Sequence, residues 1–269
     1  LTLVADARRL GRDITADIYP YIRNGIGLGS FLHPRHYVQG DEAFRARLGD
    51  PALRRELRRE VETTSDWENW YRHVGRNWDN VLITSVGRDG NQRLVGRSVQ
   101  EAARLLGRDV WETFFDLVQQ GGVSVMPQSM NEEQKQQAMR APFVMFDTDA
   151  GPVNPKSVTS AHPRAFGTFP RILSKYVREE SVIPLEEAIR KMTSLPANRL
   201  RLHNRGRIAP RMAADLVIFD PAAVRDRATY TEPLRYSEGI DYVMVNGRLA
   251  IDVGRPTGAL AGLVLRNSR

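Results

Sequence analysis

The sequence predicts an α/β fold, and three observations carry that prediction. Strands alternate with helices through the first two-thirds of the chain, an apolar strand runs into Asp147-Thr148-Asp149, and short strands with a hairpin signal take over towards the carboxyl end. The 269 residues, 41% of them hydrophobic, suffice for one large domain or a medium domain plus a small one.

Residues 1 to 11 read as a helix end closed by Gly11, and Asp13 to Tyr19 then alternates like a strand until Pro20 stops it. The Gly and Pro content from Ile22 to Gly40 marks a long loop at that strand's carboxyl end, the active-site face in an α/β barrel. A charged helix follows from about Asp50 to Thr63, then a strand from Asn80 to Val86. Ser98 with Glu101 three residues on forms a capping box for a helix through Leu106, Asp109 opens the next helix to Gln119, and Val123 to Met126 is strand-like. A short helix from Glu132 to Met139 precedes the buried strand Phe143 to Phe146.

This alternation predicts parallel βα units, yet about four strands are visible where a closed barrel has eight. Half a barrel is therefore expected to be missing. After a helix from Leu185 to Met192 come short strands at Ala214 to Phe219, Tyr242 to Val245 and Leu249 to Val253, with Asn246-Gly247 as a hairpin turn. The expected division is residues 1–200 for the barrel part and 201–269 for a small β-domain.

Composition removes several function classes. The net charge of +7 comes almost entirely from Arg, spread along the chain and interleaved with acids. In Leu53 to Glu60 it reads as a solvated helix face with i,i+4 pairs, so no nucleic-acid partner is expected. The apolar runs are strand-sized, well short of the roughly 20 residues of a membrane span, so no membrane partner is expected either. Without cysteine there is no disulfide or thiolate chemistry, which fits a cytoplasmic chain. The chain starts at Leu1 with no signal-peptide pattern, and that start reads as cut rather than natural.

Asp149 is the sharpest catalytic candidate, because an apolar strand ending in Asp-Thr-Asp before Ala150-Gly151 delivers a carboxylate to a barrel mouth. The competing reading makes Asp147 or Asp149 a turn or helix cap. Within a loop's reach follows Ala161 to Arg171, where Arg164 is suited to a substrate carboxylate and His162 to the reacting group, unless both are donors that anchor the loop. Asp17 and Tyr19 share one strand face beside the Gly-rich loop, so either is placed to face the cavity; a packed tyrosine is the alternative. His33 and His36, in His-Pro-Arg-His, lack a third ligand and are taken as loop residues.

Several of these segments together resemble the N-acyl-D-amino-acid deacylases, or D-aminoacylases, of the amidohydrolase superfamily. The resemblance rests on Asp17-Ile18-Tyr19-Pro20-Tyr21, Asp50-Pro51, Gly96-Arg97-Ser98 and the strand into Asp149. It continues through His162-Pro163-Arg164, Gly167-Thr168-Phe169-Pro170-Arg171, Lys191 to Ala197, Ala214 to Pro221, Val245-Asn246-Gly247 and the Gly-rich terminus. It implies the carboxy-terminal part of a metal-dependent (β/α) barrel followed by strands of a small β-sandwich, and hydrolysis of an N-acyl-D-amino acid by zinc-activated water.

In such an enzyme Asp149 is general base and then general acid, and a candidate metal ligand; Arg164, read from its charge rather than from the motif, is the candidate clamp for the substrate carboxylate, with His162 and Tyr19 as further candidate substrate contacts. This chain reads Thr148-Asp149-Ala150 where the family has Ser-Asp-Gly. It has no counterpart to the family's His-x-His and later ligands, so those are expected upstream of Leu1 and the chain alone is expected to be inactive. Two other readings stay open: a related amidohydrolase acting on cyclic amides, as dihydroorotases and hydantoinases do, and a non-catalytic half-barrel interaction protein whose open edges drive an oligomer.

Overall fold

The fold is described from a computed structural model, for residues 1–87, 90–158 and 161–266. In chain order the elements are α1 (Thr2–Arg9), β1 (Ala16–Ile18), β2 (Ile26–Gly27), α2 (Asp41–Arg47), α3 (Pro51–Thr63), α4 (Trp70–His73), β3 (Val81–Val86), α5 (Val99–Leu106), α6 (Val110–Gln120) and β4 (Val123–Pro127). They continue with α7 (Glu132–Arg140), β5 (Val144–Phe146), α8 (Arg164–Arg171), a π-helical stretch (Ile172–Glu179), α9 (Leu185–Met192), α10 (Ser194–Arg199), β6 (Leu216–Phe219), β7 (Ile240–Val245), β8 (Arg248–Asp252) and β9 (Arg255–Pro256). No helix among the described residues is long and apolar enough to cross a membrane.

The chain forms two compact units, one of residues 1–20 with 132–269, the other of residues 21–131. In the second unit β4 is the central strand of an antiparallel sheet in the order β2-β4-β3, with a bulge in β3 between Ile83 and Ser85. The parallel pairing expected for the strands at 80–86 and 123–126 is therefore corrected. Helix-strand alternation fixes which segments are strands but not their pairing, and here α5 and α6 return the chain so that β4 runs against β3.

Helix starts in this unit follow local capping chemistry. Asp50 accepts from the Ala52 N–H and Asp109 from the Trp111 and Glu112 N–H groups, while Ser98 and Glu101 complete the capping box. Ser98→Ala should cost about 1 kcal/mol of stability, read as a lower urea midpoint at unchanged slope. The core is aromatic: Phe31, Tyr71, Trp78, Trp111, Phe114 and Phe115 are buried and in mutual ring contact, with Phe31 stacked on Trp78 at 5.3 Å.

The solvated face expected for α3 is only partly found. Arg58 pairs with Glu62 on the surface, but Arg54 is buried, bonding Glu112, Asp116 and the Leu48 carbonyl. Glu60 is also buried, and it holds His36 Nε2 at 2.6 Å and Arg35. Those partners sit on other elements, which the i,i+4 pattern does not see.

In the first unit β1 and β5 pair in parallel, with Ala16 opposite Val144 and Ile18 opposite Phe146, so both carboxyl ends open at the same side. Met139, Phe146, Ile172, Tyr176 and Ile183 pack behind them. Glu132, at the start of α7, is a hub: Lys135 and Lys175 donate to it at 2.8 and 3.1 Å and the Tyr176 hydroxyl at 2.8 Å. Both ammonium groups also lie over the Tyr176 ring, at 5.0 and 4.9 Å.

The carboxyl-end strands form an antiparallel sheet in the order β6-β7-β8-β9. Asn246 and Gly247, both at positive φ, make the turn between β7 and β8, as their residue types predict.

Candidate active site

Parallel pairing of β1 and β5 delivers Tyr19 from one strand and Asp147-Thr148-Asp149 from the other to the same edge. The turn after β5 is set by Asp147, whose Oδ2 accepts the Asp149 N–H at 2.9 Å. This holds Asp149 in the left-handed region, at φ +42°, which its short polar side chain tolerates. The turn-forming role weighed for either aspartate thus belongs to Asp147.

Asp147 Oδ1 is buried without a hydrogen-bond partner. Burial pushes the Asp147 carboxyl above its ordinary pKa; the Asp149 N–H opposes this, and the carboxylates of Asp17 and Asp149 add to it.

The Asp149 side chain is 59% exposed and meets Arg164 Nη1 at 2.9 Å, while Arg164 itself is only 14% exposed. The guanidinium also lies over the Tyr19 ring, 4.9 Å from its centroid. Burial raises the Tyr19 pKa, with Arg164 pulling it back.

The stretch from Ala161 to Arg171 is helical from Arg164 onward. His162 does anchor its start, but as an acceptor rather than a donor: its Nδ1 takes the Arg164 N–H at 3.1 Å, so the neutral ring carries its proton on Nε2. Pro170 inside α8 has no N–H for the Phe166 carbonyl, and the Ser237 hydroxyl donates there instead at 2.9 Å. The π-helical stretch follows directly.

The structure therefore brings Tyr19, Asp149, His162 and Arg164 into one group. It adds Tyr230, whose ring stands edge-on to His162 at 5.8 Å, as the Tyr19 ring does at 6.2 Å. Tyr230 lies between β6 and β7 in a stretch with no motif, and nothing in the sequence marks it. His33 and His36 are not part of this group; His33 Nδ1 caps a short turn and His36 binds Glu60. Chemically, the group offers an ionisable carboxylate open to solvent and a shielded guanidinium.

The profile of the amidohydrolase family matches residues 48–251. The chain belongs to the amidohydrolase family. Within it, a D-aminoacylase of Alcaligenes xylosoxydans xylosoxydans is 37% identical over 172 residues, 64% of this chain and 34% of that protein. An N-acyl-D-aspartate deacylase of the same organism is 36% identical over 170 residues, 63% of this chain and 32% of that protein.

Among solved amidohydrolases, a D-aminoacylase structure superposes with TM-score 0.69 at 27% identity, covering 97% of this chain and 44% of that one. An N-acyl-D-glutamate deacylase from Bordetella bronchiseptica, complexed with zinc and a phosphonate mimic of the tetrahedral intermediate, gives 0.66 at 27% identity, covering 95% and 44%. The matched stretch spans about a third of the curated relatives' length and under half of the solved chains. The resemblance to D-aminoacylases read from the motifs is borne out.

Proposed function

We propose that this chain supplies the proton-carrying carboxylate and the substrate-anchoring cation for hydrolysis of the amide bond of an N-acyl-D-amino acid. The reading makes β1 and β5 neighbouring strands of the carboxy-terminal part of a (β/α) barrel, with residues after about 200 as a small β-sandwich segment. The observation that carries it is the pairing of Asp149 with Arg164 at the shared carboxyl end of two parallel strands.

Zinc is the metal this reading expects, and the solved Bordetella relative, complexed with it, supports that choice. The residues present do not fit a metal centre of their own. No three His, Asp or Glu side chains among the described residues are grouped to hold an ion, and Asp149 Oδ2 is engaged by Arg164. The remaining donors belong outside the described residues, and what this chain's side chains do is proton transfer and charge recognition.

Asp149 takes a proton from the attacking water and returns it to the leaving amine nitrogen, so the proton count closes over one turnover. Arg164 is held by Asp149 on one side and by the Tyr19 face on another, which fixes its positive charge beside Asp149 for the carboxylate of the amino-acid portion. His162 and Tyr19, beside Arg164, wall the substrate. A cyclic amide without a carboxylate, such as a hydantoin or dihydrouracil, offers nothing to such a cation, which favours the acyclic substrate over a hydantoinase-like alternative.

A matched pair of substrates tests this, in a polypeptide that also supplies the metal donors. Arg164→Met should lower kcat/KM for N-acetyl-D-leucine about 10- to 100-fold more than for its uncharged methylamide. The loss common to both substrates reports the broken pairing with Asp149, and the excess reports carboxylate recognition. Equal losses on both, with faster turnover of dihydrouracil than of either, would instead favour the cyclic-amide reading.

A further inference from the structure

The carboxylate assigned to proton transfer has little packing to hold it. The Asp149 side chain is 59% exposed, and its backbone sits at φ +42°, a conformation that residues other than glycine keep only where their surroundings maintain it. Arg164 reaches the carboxylate, but an ion pair on an exposed side chain is a weak restraint. The stronger restraint lies in the turn itself.

Asp147 joins the sheet to this turn. Its N–H donates to the Ile18 carbonyl at 3.3 Å, which ties its backbone to β1, and its Oδ2 accepts the Asp149 N–H at 2.9 Å. Thr148 repeats the arrangement one residue on, where its Oγ1 accepts the Ala150 N–H at 3.3 Å. Asp149 is thus bracketed by two side-chain turns, the first of which engages its own backbone. Asp147 Oδ1 takes no part, being buried with no hydrogen-bond partner, so the turn uses one acceptor oxygen rather than a charge.

We propose that Asp147 is a positioning residue for the hydrolysis, holding Asp149 in the left-handed conformation from which its carboxylate serves the attacking water and then the leaving nitrogen. The inference rests on the deacylase reading for the chemistry, but not for the turn.

Urea unfolding of the whole chain tests the turn. Asp147→Ala should lower the midpoint, and lower it by no more than about half as much on an Asp149→Gly background, because glycine occupies the left-handed region unaided. Cooperative unfolding also establishes that each variant is folded; if Asp147→Ala is not, Asp147→Leu, close in size but without an acceptor, takes its place.

Turnover of N-acetyl-D-leucine, in a polypeptide that also carries the metal donors, tests the positioning. Asp147→Ala should lower kcat about tenfold or more while KM changes less than about threefold. Asp147→Asn keeps the acceptor oxygen and should recover most of that kcat, since its amide nitrogen replaces an Oδ1 that has no contact to lose. On an Asp149→Asn background, Asp147→Ala should lower kcat no further, because the carboxylate it positions is gone. The proposal is overturned if Asp147→Asn is as slow as Asp147→Ala, if Asp147→Ala lowers kcat equally on both backgrounds, or if the urea midpoint falls equally with aspartate and with glycine at position 149. Full activity in Asp149→Asn alone would instead defeat the deacylase reading and the positioning role with it, and the urea comparison would still decide the turn.

Discussion

Asp149→Asn is expected to lower kcat for an N-acyl-D-amino acid by about 10²- to 10⁴-fold, the range that positioned proton transfer contributes. The measurement is made in a polypeptide carrying the metal donors, with metal content determined alongside, because Asp149 is also a candidate ligand. An amide of the same shape keeps the contact to Arg164 but neither accepts the water's proton nor returns it to the amine. Because the Asp149 side chain is 59% exposed, the variant should lose about 1 kcal/mol of stability or less. A large kinetic effect with a small stability effect is the signature of a proton carrier; a large loss of stability with little loss of kcat would mark Asp149 as a structural partner of Arg164.

Removing Glu132 should produce the opposite signature. Its carboxylate receives Lys135, Lys175 and the Tyr176 hydroxyl, and Lys135 is only 3% exposed. Glu132→Ala strands the Lys135 ammonium in the interior, and the expected cost is roughly 3–5 kcal/mol, a large part of the stability of an ordinary domain. Urea unfolding reads it. Glu132→Leu combined with Lys135→Met should recover most of the loss, because the double variant no longer holds an ammonium in the interior without its partly exposed carboxylate partner.

The pH dependence of the hub follows from the same contacts. Burial alone would push the Glu132 carboxyl up, but the hydrogen bonds from Lys135, Tyr176 and Lys175 outweigh it and hold the pKa at about 2, below the ordinary 4.5. A folded-state pKa lower than the unfolded one means that the unfolded chain binds more protons in this window. The stabilisation is therefore fully present above about pH 4.5 and is lost as pH falls towards 2. Burial likewise brings the Lys135 ammonium down to about 8 against the pull of Glu132, so this group adds stability as pH rises from 8 towards 10.5.

Features set by neighbours in sequence were legible without the structure. The starts of α3, α5 and α6 follow from Asp50, Ser98 with Glu101, and Asp109, whose side chains bond N–H groups two or three residues away. Asn246-Gly247 fixes its turn in the same way. The antiparallel partnership of β3 and β4 was not legible, because nothing within either strand encodes the direction of its neighbour. Arg54 and Glu60 looked solvent-facing because their partners, Glu112 and His36, lie tens of residues away.

The candidate site divides along the same line. Asp149 and Arg164 stand in recognisable stretches, one at a strand end and one at a helix start, so their residue types announced them. Their direct pairing, the grip of Asp147 on the Asp149 backbone and the edge-on contact of Tyr230 with His162 depend on how the unit folds. Asp147 carried a signal in the Asp-x-Asp spacing, but which aspartate shapes the turn and which faces outward is decided by the left-handed backbone at Asp149.

The most direct test of the central claim is zinc per chain together with turnover of an N-acyl-D-amino acid, measured on residues 1–269 alone and on the same residues joined to a segment bearing the family's metal donors. The account predicts no stoichiometric zinc and no turnover in the first, and both in the second, with the turnover lost in Asp149→Asn. Stoichiometric zinc with turnover from residues 1–269 alone would contradict it, since it would mean that these side chains build a complete metal centre by themselves.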